Sequence, residues 1–90
     1  MDKRARIVVT GRVQKAGFRE LVDETAFGLN LRGVVKNQDD GTVEIIVEGP
    51  QERLEELARR ISIQRYPIRV DGMKMELTGP TGEFKDWTGG

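Results

Sequence analysis

The spacing of apolar residues along this chain switches between the strand period and the helix period in one particular order, and that order leaves few topologies open. Ala5 to Thr10 contains Ile7-Val8-Val9, a β-branched run closed by Gly11, and reads as a strand. Gly11 to Gly17 is a loop. Phe18, Leu21, Val22, Ala26 and Leu29 then recur at helical spacing and predict a helix over about 18–29. Asn30 follows, a residue that tolerates the left-handed conformation in which helices commonly end. Gly33 to Asn37 reads as a second strand, Gln38-Asp39-Asp40-Gly41 as a hairpin turn, and Thr42 to Glu48 as the returning strand. Val43, Ile45 and Val47 share one face of that strand, and Ile46 falls on the other without an evident partner.

Gly49-Pro50 opens a second helix, with Pro at the first helical position, where no amide is needed. Leu54, Leu57, Ala58 and Ile61 form its apolar stripe. Glu52, Glu55 and Glu56 stand early and Arg59 and Arg60 late, as the helix dipole favours, with Glu55–Arg59 and Glu56–Arg60 spaced to pair. Val70 to Leu77 reads as a fourth strand, with Met73, Met75 and Leu77 on one face, and Phe84 to Trp87 as a short fifth. Strand–helix–strand–strand–helix–strand is the split βαβ order. It implies an α+β, ferredoxin-like βαββαβ sandwich, with an antiparallel sheet carrying both helices on one face and a solvated opposite face.

Composition narrows the chemistry. Ninety residues suit one domain over 1–90. Without Cys or His there is no disulfide framework, no imidazole base, and no zinc site of the usual nitrogen or sulfur kind. Fifteen basic and 15 acidic residues balance, which argues against nucleic acid or a membrane surface as a partner. The polar start, Met1 to Arg6, shows no signal peptide or membrane span, so a cytoplasmic setting is expected, and separately a monomer.

The segment Gly11-Arg12-Val13-Gln14-Lys15-Ala16-Gly17-Phe18-Arg19 joins a strand to a helix, with three cations and no acid. Its amides can converge at the first helix's N-terminus, where unpaired N–H groups and the positive end of the dipole favour an oxyanion. Arg19, in the first turn, opposes the dipole unless an anion sits there, and it could supply a bidentate fork. Read alone, the glycines are more simply loop punctuation and Arg19 a solvated cation, because Gly-rich strand–helix turns are common in binding and non-binding folds alike. A Walker-type loop fits less well, since no Gly-Lys-Ser/Thr ending is present. Asn37, at the end of a strand, reads by itself as turn chemistry, an Asx-type bond to the backbone two residues on.

Taken together, Gly11-Arg12-Val13-Gln14-x-x-Gly17-Phe18-Arg19 and Gly28-Leu29-x-Leu31-x-Gly33-x-Val35-x-Asn37-x-x-Asp40-Gly41-x-Val43-Glu44 resemble the acylphosphatase signature. Glu48-Gly49-Pro50 matches that family as well, and the similarity runs from about Ile7 to Trp87. The resemblance implies hydrolysis of acyl phosphates to carboxylate and inorganic phosphate, with no metal or cofactor. It assigns Arg19 to the substrate phosphate and Asn37 to the attacking water. Gln14, Lys15, Ala16, Gly17, Phe18 and Arg19 become the loop that cradles the phosphoryl oxygens or inorganic phosphate. Lys15 and Ala16 depart from the family's usual Gly and Val, and Lys15 is expected at positive φ with its side chain in solvent. Asn30 replaces a frequent Gly, and the family's last strand usually continues past the position of Trp87.

Three other readings compete. A non-catalytic acyl- or carbamoyl-phosphate binding module resembles the front domain of hydrogenase-maturation carbamoyltransferases. Those continue into zinc-finger and transferase regions, so a chain of 90 residues favours the enzyme, while Lys15 keeps the module in view. Gly89-Gly90 suggests a ubiquitin-like modifier, but those folds begin with a hairpin, so the glycines read as a frayed end. An RNA-binding ferredoxin-like domain wants aromatics on its central strands, and these strands carry none.

Overall fold

A computed structural model describes residues 1–89. Its elements follow the expected order: β1 (Asp2–Arg12), α1 (Phe18–Gly28), β2 (Arg32–Asn37), β3 (Val43–Pro50), α2 (Gln51–Ile61), β4 (Arg69–Thr78) and β5 (Trp87–Gly89). The strands form one sheet in the order β4-β1-β3-β2-β5. β1, β2, β3 and β4 pair antiparallel, but β5 runs parallel to β2, so the sheet is mixed rather than wholly antiparallel.

Register explains the core. Ala5, Ile7 and Val9 lie opposite Val47, Ile45 and Val43, and Val35 lies opposite Ile45. All of these are buried, together with Phe18, Val22 and Ala26 of α1 and Leu54, Leu57 and Ile61 of α2. One alternating set of strand residues thus meets both helix stripes, which places the two helices on the same face.

The end of α1 follows from Asn30. Its φ is 58°, in the left-handed region. The Leu31 amide donates to the Ala26 carbonyl and the Asn30 amide to the Phe27 carbonyl, each at 3.0 Å. These two bonds make a Schellman ending, and buried Leu31 and Ala26 supply its hydrophobic contact.

Several boundaries differ from the sequence reading. Pro50 closes β3 and caps α2 from outside, and the helix begins at Gln51. Glu56 takes both arginines, Arg59 and Arg60, while Glu55 accepts from Gln51. The last strand lies at 87–89 rather than 84–87, because Gly33 and Val34 pair with Trp87 and Gly89. Gly89 is therefore paired rather than frayed, and Gly90 lies outside the described residues. The sheet face away from the helices is not simply solvated. Arg6 and Lys36 pair with Glu44, and half-buried Ile46 sits beside Arg4 and Arg6. Glu48 is fully buried there under the segment between β4 and β5.

Candidate active site

Strand directions bring the two informative segments together. β1 and β2 both run antiparallel to β3, which lies between them, so they are parallel to each other and their C-terminal ends share one edge of the sheet. The loop after β1 and Asn37 at the end of β2 therefore meet, which the sequence pattern alone left open. Gln14 fixes that meeting. Its amide nitrogen donates to the carbonyl oxygens of Gln38 and Thr42, each at 2.8 Å, and so ties the loop to the β2–β3 hairpin.

The loop's shape rests on backbone conformation. The register of β1 against β4 shifts between Thr10 and Gly11. A Cβ on Gly11 would lie 2.2 Å from the Arg69 carbonyl oxygen, so only glycine lets β1 turn here. Lys15 has φ 59°, the left-handed conformation expected for it, and its side chain is exposed. Gly17, at φ 89°, is the residue before α1 and offers no side-chain cap, so the first amides of the helix are not met by a capping side chain.

These features enclose a pocket of about 320 Å³ lined by Val13, Lys15, Gly17, Phe18, Arg19, Glu20 and Asn37. Arg19 is half-buried, and its Nε is buried with no hydrogen-bond partner among the described residues. A buried charged donor without an acceptor is costly, by about 1–3 kcal/mol or more, and an anion in the pocket would relieve it. Asn37 is exposed at the pocket wall, and the Asx-type bond anticipated for it is made instead by Asp40, whose Oδ1 accepts from the Thr42 amide at 3.0 Å. That leaves the hairpin capped by another residue and Asn37 at the site.

Of the residues singled out in the sequence, Lys15, Gly17, Phe18, Arg19 and Asn37 line the pocket, whereas Gln14 and Ala16 do not. Gln14 holds the loop, and Ala16 packs against the core. Phe18 anchors the helix start in that core, fully buried. Val13 and Glu20 line the pocket without having been singled out. Glu20 follows Arg19 in the first turn, and its position was the available signal. Among the described residues no group of three or more Asp or Glu side chains is arranged to hold a metal ion. Among the described residues no helix is long and apolar enough to cross a membrane.

Known proteins share this fold and much of this sequence. The acylphosphatase family model matches residues 5–88. An acylphosphatase from Syntrophotalea carbinolica is 47% identical over 82 residues, which are 91% of this chain and 89% of that protein. The crystal structure of acylphosphatase from Bacillus subtilis superposes with a TM-score of 0.89 at 33% identity, over 94% of each chain. Full-length HypF, in a phosphate- and nucleotide-bound crystal structure, matches with a TM-score of 0.87 at 30% identity, over 97% of this chain but 11% of that one. With the matched region running from β1 into β5, this chain belongs to the acylphosphatase family.

Proposed function

We propose that the chain hydrolyses acyl phosphates to a carboxylate and inorganic phosphate in the pocket between the β1–α1 loop and Asn37. The observation that carries this reading is the buried, unpartnered Nε of Arg19 beside an uncapped helix N-terminus. Together they offer a guanidinium and several backbone amides to one anion.

The phosphoryl group sits against Arg19 and the amides of residues 15–19. Asn37 orients a water on the far side of phosphorus from the acyl oxygen. The water oxygen bonds to phosphorus as the phosphorus–acyl oxygen bond breaks, and the acyl group leaves as its carboxylate. The water's proton passes to a phosphoryl oxygen. A carboxylate is a weak base and leaves without being protonated, so a site with no acid aimed at the leaving oxygen suffices. A loose transition state asks for position and charge stabilisation, which fixed amides and Arg19 supply. The same proposal holds the reaction to be independent of metal and cofactor, in a cytoplasmic monomer. The relatives that match over most of their own length are acylphosphatases, and they lend nothing to a purely binding role.

Release of inorganic phosphate from benzoyl phosphate, with and without a chelator, tests the reading. Turnover unaffected by chelator is expected. Phosphate binding without turnover would make the chain a binding module instead.

A further inference from the structure

The pocket wall contains one acid. Glu20 stands at the third position of α1 and lines the pocket together with Lys15, Arg19 and Asn37. One of its carboxylate oxygens lies 3.9 Å from where a Cβ on Gly17 would sit, so the carboxylate is folded back over the helix start. Glu20 stands three residues after Gly17, the residue that precedes the helix, and no side-chain cap bond closes this end of α1. The carboxylate therefore shares the helix end that phosphate occupies in the proposed reaction.

We propose that Glu20 keeps the phosphate site weak, raising both KM and the inhibition constant for inorganic phosphate and thereby speeding product release. The inference rests on the reading of this pocket as the phosphate site. Bound phosphate and bound substrate carry their charge on the phosphoryl oxygens, close to Glu20. In a loose transition state, negative charge moves towards the departing carboxylate. Repulsion from Glu20 then raises the energy of the bound ground states and of bound product more than that of the transition state. Lys15 on the same wall offsets part of this repulsion, so the pocket-lining side chains sum to two cations against one anion.

The test is Glu20→Gln, assayed by benzoyl phosphate hydrolysis with inorganic phosphate as competitor, at low and high salt. KM and the phosphate inhibition constant should each fall by about three- to tenfold, as expected for removing one like charge near a partly exposed anion. The value of kcat should hold or fall, and the difference from wild type should narrow at high salt. Glu24→Gln, one turn further along α1 and exposed, makes the same change in net charge and should leave both constants as in wild type. An acid that merely complements the helix dipole would lower thermal stability on replacement and move neither constant. Unchanged phosphate inhibition in Glu20→Gln, or an equal effect from Glu24→Gln, overturns the proposal. Arg19→Gln separates the two possible failures. If phosphate inhibits that variant as it does wild type, the site reading itself is wrong. If inhibition is lost there while Glu20→Gln matches wild type, only the role of Glu20 is wrong.

Discussion

Replacing Glu48 with Gln attacks the tether that holds the segment between β4 and β5 against the sheet. The Glu48 side chain is fully buried and accepts hydrogen bonds from Arg4 Nη1 at 2.7 Å, Thr81 Oγ1 at 2.6 Å, the Thr81 amide at 3.1 Å and the Gly82 amide at 3.0 Å. Burial alone would raise its pKa. The donors, with Thr81 foremost, outweigh burial and hold the carboxyl at about 2 instead of its ordinary 4.5. In return, the hydrogen bond to Glu48 holds the Arg4 guanidinium more firmly charged. Because the folded-state value is the lower one, the carboxylate's contribution to stability is fully present above pH 4.5 and is lost as pH falls from there through about 2. The gap between those values corresponds to about 3 kcal/mol. Glutamine keeps the shape but turns an amide group towards Arg4 or the Thr81 and Gly82 amides, donor against donor. Glu48→Gln should therefore lose about 2–3 kcal/mol at pH 7. Urea unfolding at a series of pH values measures this directly. The deficit should be largest at neutral pH and shrink between pH 4.5 and pH 2, as wild type loses what the variant never had. A variant as stable as wild type at pH 7, or a deficit that stays constant down to pH 2, would refute the reasoning.

Two further outcomes follow from the loop and the hairpin. Lys15→Gly relieves a left-handed non-glycine residue, worth about 1–2 kcal/mol, but adds about 0.5–1 kcal/mol of unfolded-chain entropy; thermal unfolding should show equal or slightly higher stability, with turnover retained. Loss of turnover would mean that the Lys15 ammonium contacts substrate. Asn37→Ala should lower kcat by at least about tenfold while inorganic phosphate still inhibits nearly as in wild type, since a residue that orients water acts mainly in the transition state; equal loss of phosphate inhibition would give Asn37 a structural role instead.

Much of this architecture is written locally. The periodic runs Phe18–Ala26 and Leu54–Ile61 and the Asp40-Gly41 turn each specify their element through near neighbours, and Asn30 and Lys15 reach the left-handed conformations anticipated for them. What stayed hidden depends on distant partners. β5 is three residues long and has no period of its own; it is placed by pairing with β2 and by the Trp87 indole N–H donating to Asp23 Oδ1 at 2.9 Å. Asp2, Lys3 and Arg4 extend β1 although they are charged, because they pair with Pro50, Gly49 and Glu48 in turn. Nothing in Thr42 to Glu48 marks Glu48 as buried, since its donors come from Arg4 and from residues 81 and 82. At the candidate site, the chemistry of Arg19 was visible as a cation opposing a helix dipole. Its approach to Asn37 required the strand order, and Glu20 escaped notice because an acid in a first helical turn already has an ordinary explanation.

The central claim is that Arg19 holds the phosphoryl group, and Arg19→Gln measured for both turnover and phosphate binding tests it most directly. With the fold verified by circular dichroism, kcat/KM for benzoyl phosphate should fall by at least about 100-fold, the scale of losing one preorganised charge-stabilising donor. Titration calorimetry with inorganic phosphate should show binding weakened by a comparable factor. A folded variant that turns over benzoyl phosphate and binds phosphate as wild type does would contradict the claim.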